Sequence, residues 1–222
     1  MIKGFIFDLD GVIVDTAQYH YLAWKSLANT LGFDLTKEEN ENLKGVSRMA
    51  SLEYILKLGN VTLKEIDKTK YAYAKNQQYL NLLEELSNQD IMEGIPALLE
   101  EIKAAGLKLA LGSASKNAIP ILTQLNIIDM FDFISDGNST DKSKPDPEVF
   151  FIASKGIGLN PAECVVIEDS LKGIQAANSG GFMSIGVGEP DILSMSIHTF
   201  KTLKNVGIND IQNAIKASAR FN

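Results

Sequence analysis

A single cysteine in 222 residues rules out an internal disulfide, so the hydrophobic core must hold the fold. That residue, Cys164, lies in the apolar run Cys164-Val165-Val166-Ile167 and reads as a buried structural thiol. Its isolation suits a reducing cytoplasm, the expected compartment. No apolar run approaches the roughly 20 residues of a membrane-spanning helix. The N-terminus carries one lysine and then Asp8 within its apolar stretch, which makes a poor signal peptide. Positive charge is short: 21 lysines and arginines against 28 aspartates and glutamates leave a net charge of -7. Nucleic-acid affinity depends on Lys and Arg displacing counterions, so this balance argues against a nucleic-acid partner. A small anionic substrate would need a metal ion and a few converging cations to overcome the overall field. Internal repeats and low-complexity tracts are missing as well.

What is present is ordinary in bulk and specific in detail. Hydrophobic residues at 45% and charged ones at 22% describe a globular chain long enough for one domain with a sizeable insertion. Ile2 to Phe7 is an apolar run expected to form a strand buried on both faces, and Asp8 and Asp10 follow it two residues apart. Period two sends both carboxylates to one side. Gly11 then supplies freedom where a chain leaves a sheet, placing the pair at the carboxyl end of a strand. In open α/β sheets ligands bind there.

Beyond this stretch the pattern turns helical. Tyr21, Trp24, Leu27, Ala28 and Leu31 recur at helical spacing before Gly32. After a break at Lys44-Gly45-Val46-Ser47-Arg48, with Ser47 a plausible N-cap, a second helix carries Leu52, Ile55, Leu56 and Leu58. A third is expected from about 63 to 86, with Ile66, Tyr73, Leu80 and Leu83 on its apolar side. Nothing strand-like interrupts residues 17 to 88. From Gly94 onward, short apolar strands alternate with amphipathic helices: strands at 107–112, 131–135, 164–167, 182–187 and 197–200, and helices at 95–105, 113–125, 147–155, 170–179 and 208–217. Such alternation means a parallel sheet with helices on both faces. The expected architecture is therefore an α/β, Rossmann-like doubly wound sheet from residues 1–15 and 89–222. An all-helical cap, 16–88, is inserted, and hinges are expected at Thr16 and at 86–92.

Four groups fall at the carboxyl ends of these strands: Asp8 with Asp10, then Ser113, then Lys144, then Glu168 with Asp169. Alone, each has a plainer explanation. Asp8-Leu9-Asp10-Gly11 could cap loop amides, Glu168-Asp169 could complement a helix dipole, Ser113 could be an N-cap and Lys144-Pro145 a solvated turn. His20 could be a partly buried helix histidine, Arg48 a surface charge, and His198 is read as structural. Their joint order and placement are harder to explain that way.

Together they resemble the four motifs of the haloacid dehalogenase-like phosphotransferases over nearly the whole chain. The likeness is close to the β-phosphoglucomutase branch, through Asp8-Leu9-Asp10-Gly11-Val12, His20, Lys44-Gly45-Val46-Ser47-Arg48, Ser113-Ala114-Ser115-Lys116-Asn117 and Glu168-Asp169-Ser170. The resemblance implies Asp8 as the nucleophile toward phosphorus and Asp10 as general acid and base. It also implies Mg²⁺ as cofactor, held by Asp8, the main-chain carbonyl of Asp10, Glu168 and Asp169. An attacking carboxylate meets a phosphate dianion at a cost of about 4 kcal/mol per unit pair at ~4 Å and an effective dielectric of 20, so positive charge is required. Lys144 would supply part of it, with Lys142 as a weaker competitor. Ser113 and the amide of Ala114, at the start of a helix, would hold phosphoryl oxygens. Arg48 and Ser47, with Ser115, Lys116 and Asn117, would grip a second phosphate, while His20, Lys44 and Lys75 would contact substrate or orient Asp10. The implied function is a phosphomutase interconverting β-glucose 1-phosphate and glucose 6-phosphate through an aspartyl phosphate and β-glucose 1,6-bisphosphate, with phosphorylated hexoses as partners; a monomer is expected, with no membrane partner. A sugar-phosphate phosphatase and a non-catalytic phospho-ligand-binding protein are the alternatives.

Overall fold

A computed structural model describes residues 2–43 and 46–218. Six short strands form one parallel sheet: β1 (Gly4–Phe7), β2 (Lys108–Gly112), β3 (Phe133–Ser135), β4 (Cys164–Glu168), β5 (Met183–Val187) and β6 (His198–Phe200), in the order β3-β2-β1-β4-β5-β6. All four residues of β1 are buried, as its unbroken apolar run requires of a central strand covered on both faces. Alternation along it divides the core. Phe5 and Phe7 face a cluster that includes Leu109, Leu111, Val165 and Ile167, whereas Ile6 joins Ala110 and Val166 on the other face. The first face is covered by α5 (Ile95–Ala104), α6 (Ala118–Gln124) and α9 (Ile208–Ser218), the second by α7 (Glu148–Gly156) and α8 (Leu171–Ser179). The strand order reverses at β1, since β2 and β3 extend to one side and β4 to β6 to the other. The crevice beyond the carboxyl ends of β1 and β4 is thus a topological switch point.

Between β1 and α5 the described residues form four α-helices: α1 (Ala17–Thr30), α2 (Lys37–Glu41), α3 (Arg48–Leu58) and α4 (Glu65–Leu83). They enclose their own core of Trp24, Leu27, Ala28, Leu35, Leu52, Ile55, Leu56 and Ala72. The two connections to the sheet lie side by side, with Asp15 N–H donating to Asp90 O (3.1 Å), Met92 N–H to Ile13 O (2.9 Å), and an antiparallel bridge between Val14 and Ile91. The expected α/β sheet with a helical insertion is therefore observed.

Three expectations are corrected. Helix α2 went unpredicted, although its capping box, Thr36 with Glu39, is legible. On α4, Ile66 and Tyr73 are 63% and 64% exposed, and the buried face is Ala72, Lys75, Tyr79 and Leu83. Finally, α6 begins at Ala118 with Asn117 as N-cap, so Ser113 caps no helix and Ala114 does not stand at a helix start. Residues 113–117 are a turn between β2 and α6. Cys164 is buried as expected, and burial pushes its thiol up to about 12.

Candidate active site

Asp8 leaves β1 with its N–H bonded to Ile167 O of β4 (3.0 Å), so the end of the strand ladder fixes its position. Lys144 reaches it from the loop after β3, Nζ to Asp8 Oδ1 at 2.8 Å, and the same Nζ lies 2.6 Å from Glu168 Oε1 at the end of β4. The Lys144 and Glu168 side chains are wholly inaccessible. Glu168 Oε2 accepts from both the N–H (2.7 Å) and the hydroxyl (2.9 Å) of Ser170, which also N-caps α8. Glu168 is thus an anchor that holds the lysine against Asp8. Burial, aided by Glu168 and Asp10, pushes the Asp8 carboxyl up to about 7 against the opposing pull of Lys144. For Lys144, burial alone would favour the neutral amine, but Asp8 and Glu168 outweigh it and keep the ammonium charged. Lys142, the competing lysine, is 69% exposed and pairs with Asp146, which leaves Lys144 as the inner cation.

Asp8, Glu168 and Asp169 each present a carboxylate oxygen within 4.8 Å of the others. An all-oxygen set fits a hard divalent cation. Gly11 keeps this corner open: it has a φ of +81°, and a Cβ there would come 2.2 Å from Asp169 Oδ2. The Asp10 carboxylate points elsewhere. It accepts a hydrogen bond from the Thr16 hydroxyl and lies 3.8 Å from His20 Nε2, on the side of the helical insertion. Any share of Asp10 in a metal site belongs to its main chain.

Behind Asp10 a chain of groups descends into the insertion. His20 Nδ1 is 3.1 Å from Lys75 Nζ, and the ring lies on Tyr79, centroids 4.1 Å apart. Burial, with Lys75 and Arg48 nearby, holds His20 well below the usual histidine range. A neutral ring that accepts from Lys75 at Nδ1 carries its proton on Nε2, facing Asp10. Lys75, 3% exposed, sits over the rings of Trp24 (4.5 Å) and Tyr79 (4.8 Å), and burial together with Arg48 brings it down to about 7.

Asp8, Asp10, His20, Lys75, Lys144 and Asp169 open onto one cavity of about 1190 Å³ between sheet and insertion. Apart from Glu168, which lies behind it, every described residue singled out from the sequence for a site role lines it: Asp8, Asp10, Thr16, His20, Val46, Ser47, Arg48, Lys75, Ser113, Ala114, Ser115, Lys116, Asn117, Lys144 and Asp169. Lys44 and Gly45 fall outside the described residues. Ser47 N-caps α3 as expected, accepting from Ala50 N–H (3.4 Å), and sets the half-buried Arg48 at the first turn. The 113–117 turn is braced internally, Ser115 N–H to Ser113 Oγ and Asn117 N–H to Ser115 Oγ, and from outside by Asn138 Nδ2 to Lys116 O (3.0 Å).

The sequence reading missed Gly173 and Tyr79. At Gly173, in the first turn of α8, a Cβ would stand 1.8 Å from Glu168 Oε1. Gly173→Ala is expected to cost about 2–3 kcal/mol by overpacking and to push Glu168 off Lys144. Urea unfolding checks this, and an unchanged midpoint would show that the carboxylate has slack. A glycine within a helix, five residues after a site carboxylate, was the available signal.

The chain matches the family model described as haloacid dehalogenase-like hydrolase over residues 5–187, and it belongs to that family. Within it, the chain is similar to the β-phosphoglucomutase of Bacillus subtilis, 43% identical over 85% of this chain and 84% of that one. A crystal structure of β-phosphoglucomutase from Clostridium difficile superposes with a TM-score of 0.95 at 43% identity, covering 99% of this chain and all of that one. A phosphorylated-carbohydrate phosphatase of Thermotoga maritima is 28% identical over 83% of this chain and 84% of its own. The resemblance read from the motifs is borne out. No helix among the described residues is long and apolar enough to cross a membrane.

Proposed function

We propose that the protein is a Mg²⁺-dependent β-phosphoglucomutase that interconverts β-glucose 1-phosphate and glucose 6-phosphate through β-glucose 1,6-bisphosphate. The observation that carries this reading is one cavity lined by two sets of groups suited to anions. The first is Lys144 and Ser113 beside Asp8. The second is Arg48 with Ser115, Lys116 and Asn117. A phosphatase needs only the first. The 43% identity to the Bacillus β-phosphoglucomutase supports the same choice.

Asp8, Glu168 and Asp169, with the Asp10 carbonyl, would hold the cation. Bound there, Mg²⁺ would neutralise charge between carboxylate and phosphate. Asp8 Oδ attacks phosphorus, the bond from phosphorus to the sugar oxygen breaks, and Asp10 gives that oxygen its proton. In the reverse half-reaction Asp10 removes a proton from the other sugar hydroxyl as that oxygen takes the phosphoryl group from Asp8. Burial raises the Asp10 carboxyl above its ordinary value, which favours a protonated acid at the start of the first step. Thr16 and His20 hold it toward the sugar, and Lys144 and Ser113 face the transferring phosphoryl group. Because one nucleophile serves both carbons, the bisphosphate turns end for end, and a second anion site makes either orientation bindable. We place the moving cap at residues 16–88 over a core of 1–15 and 89–222, with hinges at Thr16 and 86–92. A closed cap would exclude water from the phosphoenzyme.

Phosphorus NMR of the protein with Mg²⁺, β-glucose 1-phosphate and a trace of the bisphosphate tests the reading. Glucose 6-phosphate should grow without matching free phosphate, and Asp8→Asn should abolish it. Dominant release of free phosphate would transfer the assignment to a phosphatase.

A further inference from the structure

Helix α4 of the cap and helix α6 of the core touch at both ends of α6, and the two contacts differ in kind. At the C-terminal end, the two N–H groups of Gln124 Nε2 are shared among three main-chain carbonyls at and just beyond the end of α4: Leu83 O (2.9 Å), Leu86 O (3.1 Å) and Glu84 O (3.4 Å). Leu83 and Leu86 are buried there in the cluster that covers the sheet. At the N-terminal end a single bond joins them, Asn117 Nδ2 to Asn76 Oδ1 at 2.9 Å. Asn117 occupies the N-cap position of α6 yet makes no capping bond with its side chain, which reaches across to the cap instead. From Asn76 to Leu83 is two turns of α4, or about 10 Å of helix. A triple contact at one end and a lone amide bond at the other give that seam a pivot and a latch.

An amide nitrogen has two hydrogens. The bond to Asn76 uses one and fixes the plane of the amide, which leaves the second aimed by that plane. Asn117 is 8% exposed and lines the cavity beside Lys116 and Ser115. We infer that Asn76 is a positioning residue: from the cap, it orients the Asn117 amide for a phosphoryl oxygen, so that the second anion site is complete only when the cap is seated. This rests on the mutase reading, which assigns Asn117 to that site. Hydrogen bonds in series polarise one another, so an anion on Asn117 would strengthen its bond to Asn76 and hold the cap closed.

A double-mutant cycle tests the inference, with glucose 6-phosphate binding by calorimetry in Mg²⁺ and mutase KM and kcat measured for wild type, Asn76→Ala, Asn117→Ala and the double variant. Asn76→Ala should raise Kd and KM about tenfold with a much smaller change in kcat, and should have no further effect once Asn117 is alanine. Melting temperatures guard against a merely structural effect, which would lower Tm and persist in the Asn117→Ala background. Equal losses in both backgrounds, or wild-type affinity in Asn76→Ala, would overturn the inference. If the wild type itself neither bound nor converted glucose 6-phosphate, the mutase reading would have failed, and the latch with it; a wild type that binds and an Asn76→Ala variant that binds equally well would sink the latch alone.

Discussion

Lys144→Ala is expected to lower kcat at least ~10³-fold, the scale set by removing a preorganised charge from a water-excluded site. The same change should destabilise the fold by about 3–5 kcal/mol, because Asp8 and Glu168 are left buried beside one another without their shared cation. The stability cost depends on pH with a definite sign. In the metal-free protein Asp8 titrates at about 7, against 3.8 for the unfolded chain. Between those values the folded state holds a proton that the unfolded state has lost, so stability falls as pH rises through the window. Removing Lys144 takes away the main influence that lowers the Asp8 value, so the window extends upward and the variant's deficit is larger at pH 8 than at pH 5. Urea unfolding of metal-free protein at the two pH values measures this. A deficit independent of pH would mean that lost packing, not unpaired charge, is the cause. Lys142→Ala, two residues away with a side chain 69% exposed, should stay within about 0.5 kcal/mol of wild type.

That contrast marks what hydropathy and spacing reveal. The strands were legible because a parallel sheet covered on both faces demands unbroken apolar runs, and β1 and β4 have them. Asp8, Ser113 and Glu168 were legible because each stands directly at the end of such a run. Lys144 could be preferred over Lys142 only by motif; the geometry supplies the reason, since Lys144 alone enters between two carboxylates. On α4 the apolar pattern misled. Its N-terminal half packs in the cap core and its C-terminal half against the sheet, and between them the buried face carries a lysine. Ile66 and Tyr73, apolar by type, took the exposed side instead. No periodicity rule places Lys75 inside, because the burial is offset by partners distant in sequence, His20 and Trp24. The Asn76–Asn117 bond spans 41 residues and joins the helical insertion to the turn after β2, so only the folded chain shows it. Glu168 was named from its place beside Asp169, and the structure adds what the sequence did not show: its carboxylate stands in the Asp8–Asp169 cluster and also holds Lys144 and Ser170.

Lys75→Met is expected to move stability and activity in opposite directions. The ammonium is 3% exposed and has no carboxylate within ion-pairing distance among the described residues; aromatic rings and a histidine nitrogen surround it. Burial brings its value to about 7 from 10.5. A displacement of that size corresponds to at most about 5 kcal/mol, and the cation–π contacts already belong to the net figure, so a gain of about 2 kcal/mol from methionine is the expected scale. Below pH 7 the lysine is charged in both states and the burial cost is fully present. From pH 7 to 10.5 the unfolded chain holds the proton more than the folded one, so wild-type stability rises with pH and closes on that of the variant. Thermal melts should therefore show Lys75→Met above wild type at pH 6 and nearly level with it at pH 10. Activity should fall about 10²-fold, because His20 Nδ1 loses its donor, the tautomer that faces Asp10 with an N–H is no longer selected, and Asp10, the proposed acid and base, loses its orientation. A variant less stable than wild type at pH 6 would show that the rings and the histidine hold the charge better than water does, and Lys75 would then be a stabilising element of the cap.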